Sequence, residues 1–355
     1  MRILQLISSL EFGGVEKYAI QFHNTALTHK GFESFLISLR PGPLRDILDS
    51  QNSLIINKKG PVWRLITAKK FIIRNGIKIV HAHNDSISYA VILKLLTGSK
   101  LIFHNHHGNM GIRKASKYRW LKLLSPFFDF VITVNERLAE YSRNYLLINK
   151  SKILFIPNFV VIQQATSKPV LPGLKRNRVV SLANLNPVKD HMTLIKAFKS
   201  VVKDSPDAML ILIGDTSNSS YKNELTNLVE VSRLNENVHF LGYLINPHDY
   251  LAQCSIGVLS SRMEAFPLTL LEYSVAHLAV ITTNVGQCSS LLDNGTLGIL
   301  VTPGNIEELA DSIKHLLLDS ELRDKLADSF NKRVEIEYST ENVLAQVEGI
   351  YKSLV

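Results

Sequence analysis

The fold is decided by the stretch from residue 255 to residue 272, which reads SIGVLSSRMEAFPLTLLE. Its first five residues form an apolar run that is typical of a buried strand. Pro267 suits the first position of a helix, so the stretch predicts a strand, a loop with Glu264 and a helix with Glu272. A helix start favours phosphate through its N–H groups and its partial positive charge. The two glutamates are therefore placed to flank one anion, although a loop glutamate and a helix-surface glutamate without a role would give the same pattern.

The length and composition predict a globular chain of two ordinary domains. It has 355 residues, of which 46% are hydrophobic and 20% charged. Cys254 and Cys288 are the two cysteines, so no disulfide framework is implied and a reducing cytosol fits. No apolar run reaches the roughly 18 residues that a membrane span needs. The first nine residues are too short for a signal peptide and predict a first strand instead.

The charge is divided unequally along the chain. Residues 1–170 carry 24 basic and 9 acidic side chains, a net charge of +15, whereas the remaining residues carry 16 and 22, a net charge of −6. Such a split indicates that the first domain meets a polyanion or an anionic membrane.

Apolar runs alternate with helical patterns, which favours α/β architecture with parallel sheets covered on both faces. Strands are predicted near residues 2–8, 34–39, 53–57, 78–83, 100–104, 129–134 and 152–156, and near residues 178–182, 208–214, 238–241, 256–259, 279–283 and 298–301. The two series predict two doubly wound domains, residues 1–170 and 171–338. Residues 339–355 predict a final helix.

Ligands of such domains bind at the carboxyl ends of the strands, so the loops that leave these ends are candidates for binding. Gly13 and Gly14 follow the first strand and either let a ligand approach the backbone or form an ordinary turn. Lys189 follows the first strand of the second domain, where it would present a compact charge to phosphate or remain a surface lysine. The dinucleotide fingerprint Gly-x-Gly-x-x-Gly is absent from the sequence.

Three histidines, His104, His106 and His107, lie within four residues at another strand end. Zinc is one candidate ligand, but no cysteine or carboxylate stands nearby at ligand spacing. Hydrogen bonding to a polar ligand is favoured, and loop histidines without a role are a third interpretation. His81 and His83 end the preceding predicted strand, where they would line the same region.

Residues 113–128 interleave basic and aromatic side chains at helical spacing. This pattern is typical of a segment in a membrane interface, and equally of the solvated face of a packed helix. The charge of the domain favours the membrane. Nucleic acid is the competing polyanion, but no recognition motif is visible, and an RNA-binding role would leave the second domain unexplained. The candidates for the acceptor or membrane side are His106, Arg113, Lys114, Lys117, Arg119 and Trp120.

Taken together, these features resemble the retaining glycosyltransferases of family 4, which have the GT-B fold. The likeness covers nearly the whole chain, and the joint match is more specific than any one motif. It rests on the glycine loop 13–16, the lysine segment 184–189, the strand ends 214–215 and 240–243, residues 264–267 with Glu272, Gly286, and residues 298–304. The fold it implies has two Rossmann-like domains facing across a cleft, with the final helix returning to the first domain.

The resemblance implies a nucleotide-sugar donor, a UDP- or GDP-sugar, held mainly by the second domain. Glu272 would bind the ribose, Glu264 the sugar, and Lys189 with the backbone near residues 267–270 the diphosphate. The implied catalytic residues are Glu264, Lys189 and His107, with His106 the second choice for the histidine that contacts the sugar. The implied donor-binding residues are Gly14, Asn184, Lys189, Gly214, Tyr243, Glu264, Ala265, Phe266, Pro267, Leu268 and Glu272.

The acceptor would be a lipid-linked saccharide or an oligosaccharide on the first domain. No metal or other cofactor is expected, because Lys189 and fixed donors would stabilise the departing diphosphate, and the chain has no Asp-x-Asp. We expect a cytoplasmic protein on the inner face of an anionic membrane, acting in surface polysaccharide or glycolipid assembly, with no nucleic-acid partner. The alternatives are a nucleotide-sugar epimerase of the same fold and a non-catalytic nucleotide or sugar binder.

Three positions depart from the family pattern. Asn184 stands where many members carry an arginine, which leaves Lys189 as the formal positive charge at that loop. Tyr273 replaces a small residue after the second glutamate, and Thr216 replaces a glycine.

Overall fold

The computed structural model describes residues 1–57, 60–106, 119–161 and 167–355. The chain forms two compact units, one of Met1–Phe159 with Thr340–Val355 and the other of Val160–Ser339. His107, Arg113, Lys114 and Lys117 lie outside the described residues.

The first unit is built on one parallel sheet of seven strands in the order β3-β2-β1-β4-β5-β6-β7. The strands are β1 (Arg2–Ile7), β2 (Glu33–Ser38), β3 (Ser53–Ile55), β4 (Ile79–His83), β5 (Lys100–Asn105), β6 (Phe130–Thr133) and β7 (Ile153–Phe155). The helices between them are α1 (Gly14–Ala26), α2 (Pro61–Arg74), α3 (Ile87–Thr97), α4 (Arg119–Leu124) and α5 (Glu136–Asn144). The central strands are buried along nearly their whole length, as expected for a parallel sheet covered on both faces.

The second unit holds a parallel sheet of six strands in the order β10-β9-β8-β11-β12-β13. The strands are β8 (Arg178–Leu182), β9 (Met209–Ile213), β10 (Val238–Gly242), β11 (Ile256–Leu259), β12 (Ala279–Thr283) and β13 (Ile299–Val301). The helices are α6 (His191–Asp204), α7 (Ser219–Val231), α8 (His248–Leu251), α9 (Leu268–Val275), α10 (Cys288–Leu291), α11 (Ile306–Leu318) and α12 (Ser320–Glu337). The order of strands reverses between β8 and β11, which is where doubly wound sheets open a crevice for ligands.

The final helix α13 (Thr340–Leu354) belongs to the first unit, although the second unit precedes it in sequence. Its buried side chains include Val347 and Tyr351. The Tyr351 ring meets Phe32 edge-on, and its hydroxyl accepts a hydrogen bond from Gln5 Nε2 of β1. The helix is thus fixed to the sheet of the first unit by packing and by a buried hydrogen bond.

The sequence located every predicted strand to within two residues at each end, and the prediction of two doubly wound sheets is confirmed. One detail was wrong. Pro267 is the residue before α9, with extended backbone dihedral angles, and Leu268 is the first helical residue. Within the described ranges, no helix combines the length and apolarity needed to cross a bilayer.

Candidate active site

Lys189 stands in a short turn between β8 and α6, and local hydrogen bonds shape this turn. Asn186 accepts from the Val188 N–H at 3.1 Å. Asp190 has a left-handed backbone, with φ of 50°, and caps α6 by accepting from the Thr193 N–H at 3.4 Å, while the Thr193 hydroxyl donates to the same carboxylate at 2.9 Å. The turn therefore presents Lys189 at the carboxyl end of β8, where the sequence placed it.

The structure pairs Lys189 directly with Glu264 of the loop after β11. Lys189 Nζ donates to Glu264 Oε1 at 2.6 Å, and the Ser261 hydroxyl donates to the same oxygen at 2.6 Å. The lysine side chain is 25% exposed and that of the glutamate 10%, so the pair is largely shielded from bulk water. Two groups that the sequence assigned to different parts of a donor thus share one hydrogen bond.

Further bonds hold the lysine turn and the glutamate loop together. The Arg262 N–H donates to the Val188 carbonyl at 2.8 Å, and the Ser260 hydroxyl donates to the Lys189 carbonyl at 2.9 Å. Arg262 Nε donates to the buried Asp190 carboxylate at 2.8 Å. Sequence reasoning missed Arg262, although it lies two residues before Glu264. Most of its side chain is exposed, and its guanidinium forms an ion pair with Asp190, the residue after Lys189.

Helix α9 carries Glu272 one turn beyond its start, as predicted. The Thr269 hydroxyl donates to the Leu182 carbonyl at 3.0 Å, which attaches the first turn to the end of β8. Glu272 is partly exposed. The first N–H groups of a helix lack partners within the helix, so this start can receive an anion.

The loop before α9 packs closely against neighbouring residues. Phe266 is buried and its ring lies 5.9 Å from that of Tyr338. Ala265 follows Glu264 directly, and the backbone here is closely approached by Gly286, where a Cβ atom would lie 2.1 Å from the Glu264 carbonyl oxygen. Only glycine fits at position 286, which has φ of +56°.

The remaining donor-side predictions surround the end of β9. Gly214 approaches the Ala183 carbonyl so closely that a Cβ atom would lie 2.0 Å from its oxygen. The Asn184 side chain accepts from the Asp215 N–H at 3.1 Å, so this asparagine braces two loops. Tyr243 is half-buried just beyond β10. These residues gather at the carboxyl edge of the sheet beside Lys189.

In the first unit, Gly14 is the first residue of α1 and Gly13 is its cap. A Cβ atom on Gly14 would meet no other atom within 4 Å, whereas one on Gly13 would lie 2.1 Å from a carboxylate oxygen of Glu16. The Glu16 carboxylate thus folds over the start of its own helix. Burial raises the pKa of this carboxylate, against a smaller lowering by a backbone hydrogen bond.

The histidines of β4 and β5 form a buried array on one face of the sheet, because His83 pairs in register with His104. His81 Nε2 lies 3.0 Å from His104 Nδ1, and His83 Nδ1 lies 3.2 Å from His106 Nε2. His81 Nδ1 also lies 2.6 Å from the Tyr351 hydroxyl. Burial lowers the pKa of His83 to about 3 and holds the pKa values of His81 and His104 well below 6.5.

Gln5 orders the protons in this array. Its Nε2 donates to the Tyr351 hydroxyl, and its Oε1 lies 2.9 Å from His83 Nε2, which must therefore carry a proton. His83 Nδ1 then accepts from His106 Nε2–H. The array gives His106 a fixed tautomer and orientation and keeps it mostly buried. His106, a candidate for binding the sugar acceptor, is thus held by a network of neutral imidazoles.

Among the described residues, three histidines of this array, His81, His83 and His104, lie close enough together to be considered as metal ligands. One nitrogen each from His81, His83 and His104 lies within 4.8 Å of the other two. The rings of His81 and His83 are stacked at 13°, so their nitrogens do not converge on one point. Both nitrogens of each of these two rings also have hydrogen-bond partners. The geometry suits a hydrogen-bond network better than a metal centre.

The remaining acceptor-side predictions fall on α4. Arg119 and Trp120 are its first two residues, and both side chains are exposed. Leu123, on the same helix, is also exposed. The structure therefore places an exposed aromatic and basic surface at this position, next to residues that it does not describe.

Two family models match consecutive parts of the chain. The model described as Glycosyltransferase Family 4 matches residues 12–164, and the model described as Glycosyl transferases group 1 matches residues 163–333. Together they span nearly the whole sequence, in the order that the two units follow.

Individual known proteins are also similar to this chain in sequence or in structure. An uncharacterized glycosyltransferase of Methanocaldococcus jannaschii is 25% identical over 72% of this chain and 70% of its own. The Campylobacter jejuni N-acetylgalactosamine-N,N'-diacetylbacillosaminyl-diphospho-undecaprenol 4-alpha-N-acetylgalactosaminyltransferase is 26% identical over 57% of this chain and 54% of its own, about half its length. The crystal structure of Anabaena HepE, in complex with UDP and glucose, superposes with a TM-score of 0.86 over 100% of both chains at 18% identity.

The two doubly wound parallel sheets and the superposition on HepE over the whole chain show the GT-B fold of glycosyltransferases. This chain belongs to glycosyltransferase family 4, and it is a glycosyltransferase of group 1.

Proposed function

We propose that this protein transfers a sugar from a UDP-sugar to a lipid-linked saccharide, with retention of anomeric configuration and without a metal ion. One observation carries the proposal. Lys189 and Glu264 meet at 2.6 Å at the end of the sheet, beside the helix start that leads to Glu272. A cation, a carboxylate and a helix start are what the phosphates, sugar hydroxyls and ribose of such a donor require.

The chemistry follows from the charges. When the bond between the sugar and the diphosphate breaks, the electron pair remains on the diphosphate and the sugar ring becomes positive. Before this step, when the donor binds, Lys189 Nζ would exchange its bond with Glu264 for one with a phosphate oxygen. Glu264, released from the lysine, would accept hydrogen bonds from sugar hydroxyls. Fixed charges of this kind do not need to reorganise during the reaction, which is why they lower its barrier.

UDP is the proposed nucleotide because the HepE structure contains UDP and glucose, and a GDP-sugar is the alternative. The lipid-linked acceptor is supported by the name of the Campylobacter relative, which specifies a diphospho-undecaprenol substrate. Surface polysaccharide or glycolipid assembly would follow from such an acceptor. In this proposal the acceptor binds to the basic first unit near His106.

We further propose that the protein associates with the cytoplasmic face of an anionic membrane. Helices α2 and α3 pack against each other, and both leave large apolar side chains in solvent. The exposed residues are Val62, Trp63, Ile66 and Ile73 on α2, and Ile92, Leu95 and Leu96 on α3. Neither helix contains an acidic residue, and α2 carries Arg64, Lys69, Lys70 and Arg74. Apolar and basic side chains on one exposed surface suit anionic lipid.

Vesicle flotation tests the membrane proposal. The wild-type protein should float with phosphatidylglycerol vesicles but not with phosphatidylcholine, and binding should fall as salt is added. An Ile66→Ser/Ile73→Ser variant should lose this binding. Val231→Ser, which changes an exposed apolar residue of the second unit, should not. Equal flotation of the wild type and both variants would refute the proposal that α2 and α3 bind the membrane.

The transfer reaction is tested with a panel of UDP- and GDP-sugars, each with and without an undecaprenyl-diphosphate-linked saccharide. The proposal predicts UDP release that requires the acceptor, a product whose NMR coupling shows the donor's anomeric configuration, and no loss of rate with EDTA. Conversion of the donor without acceptor would indicate an epimerase. Binding without turnover would indicate a non-catalytic binder, and loss of activity with EDTA would refute metal independence.

A further inference from the structure

Tyr273 follows Glu272 on α9 and is completely buried. Its hydroxyl accepts a hydrogen bond from the Leu182 N–H at 2.7 Å and donates one to the Val258 carbonyl at 3.0 Å. Leu182 lies on β8 and Val258 on β11, the two strands between which the sheet reverses its order. One side chain of α9 therefore joins two strands at the crevice.

The ladder between these strands ends early. The last pair between β8 and β11 is Val180 with Gly257, whereas β8 pairs with β9 as far as Leu182, and β11 pairs with β12 as far as Leu259. In a regular parallel ladder the Leu182 N–H would donate to a carbonyl of β11. The Tyr273 hydroxyl takes the place of that bond, so the strands separate without leaving a buried N–H group unpaired.

Gly257 makes room for this arrangement. A Cβ atom at position 257 would lie 2.5 Å from Cδ2 of the Tyr273 ring. The ring therefore rests on a strand residue without a side chain, and its hydroxyl reaches between the strands. Tyr273, the large residue after the second glutamate, therefore fits against β11 because position 257 is a glycine.

We propose that Tyr273 is a positioning residue that keeps β8 and β11 apart at the reversal point and sets the place of α9 against β8. Thr269 supplies a second attachment four residues earlier, through the Leu182 carbonyl. The helix start and Glu272 lie along the segment that these two attachments fix. Loss of the hydroxyl should let this segment shift, and with it the groups that receive the nucleotide. The inference rests on the proposed donor site.

Tyr273→Phe tests the role, because it removes the hydroxyl and keeps the ring. We expect the calorimetric Kd for UDP to rise about tenfold or more. Tyr351→Phe is the matched control, since that hydroxyl is also buried and hydrogen-bonded, to Gln5 and His81, but belongs to the first unit. It should lower the Tm and leave the Kd for UDP unchanged. Equal Kd values for Tyr273→Phe and the wild type would overturn the proposal.

A double variant separates positioning from packing. Tyr273→Ala should lower the Tm, and Gly257→Ala/Tyr273→Ala should recover part of that loss, because a methyl group then occupies space that the ring vacates. The Kd for UDP should stay high in the double variant. Recovery of both the Tm and the affinity would show that filling the space is sufficient, which contradicts a role for the hydroxyl.

The wild-type protein provides a test that does not depend on the folding of variants. The Leu182 amide should exchange with deuterium as slowly as the ladder amides of β8, because the hydroxyl protects it. Fast exchange would contradict the bridge. If the wild type binds neither UDP nor GDP, the proposed function fails. If it binds UDP and Tyr273→Phe binds equally well, only this inference fails.

Discussion

Lys189 Nζ donates a hydrogen bond to Glu264 Oε1 across 2.6 Å, although 75 positions separate the two residues in the chain. The bond joins the turn after β8 to the loop after β11, on either side of the point where the strand order reverses. The pair neutralises its own charge before a donor arrives. A bound diphosphate would give the lysine a stronger partner and free the carboxylate for the sugar.

Replacing Lys189 by alanine should lower kcat by about 100-fold or more, which is the usual effect of removing one preorganised donor from a developing anion. Steady-state transfer rates with the best donor would measure it. Lys196→Ala removes an exposed lysine from α6 of the same unit and should leave kcat unchanged. A wild-type kcat for Lys189→Ala would exclude a role in stabilising the leaving group.

Gly286→Ala should weaken donor binding by displacing the Glu264 loop, because its Cβ atom would lie 2.1 Å from a carbonyl oxygen of that loop. Gly304→Ala is the matched control. It has the same left-handed backbone, with φ of +79°, but no atom within 4 Å of the added methyl group. Both variants should lose about 1 kcal/mol of stability from backbone strain. Only Gly286→Ala should lose affinity for UDP, and equal affinities would refute the displacement.

Stability should fall as the pH drops below 6.5. Burial lowers the pKa of His83 to about 3 and holds the pKa values of His81 and His104 well below 6.5. Just below pH 6.5 these three histidines are therefore protonated in the unfolded chain but remain neutral in the folded chain. The stability is therefore fully present above pH 6.5 and is lost as the pH falls toward the folded values. At pH 5.5 each histidine should cost about 1.4 kcal/mol.

Urea unfolding at pH 7.5 and pH 5.5 would measure this loss. His83→Gln should flatten the dependence of stability on pH by the share of one histidine. His277→Asn, at an exposed position in the second unit, should retain the full dependence. A free energy of unfolding that does not change between the two pH values would contradict the burial of neutral imidazoles.

Much of the fold could be predicted from the sequence because each strand is a short apolar run bounded by polar residues or glycine. The strand order and the division between Phe159 and Val160 depend on contacts between distant segments, which local patterns do not contain. The start of α9 was placed one residue early, since proline is common both at the first helical position and just before it.

The sequence predicted which loops form the site, but not which of their side chains would hydrogen-bond to one another. Strand ends of a parallel sheet meet at one edge, so Lys189, Glu264 and Glu272 were correctly brought to the same sheet edge. Their pairing depends on side-chain directions that spacing does not fix. The contact between Tyr273 and Gly257 was missed for the same reason, although an aromatic residue and a strand glycine on adjacent elements could have indicated it.

The central claim is that the second unit binds the nucleotide of a donor through Glu272, and calorimetric titration of UDP tests it most directly. Glu224→Ala, which removes an exposed glutamate from α7, should bind UDP like the wild type. Glu272→Ala should bind at least tenfold more weakly, as expected when a hydrogen bond to a charged group is lost. Equal Kd values for the wild type and both variants would contradict the account.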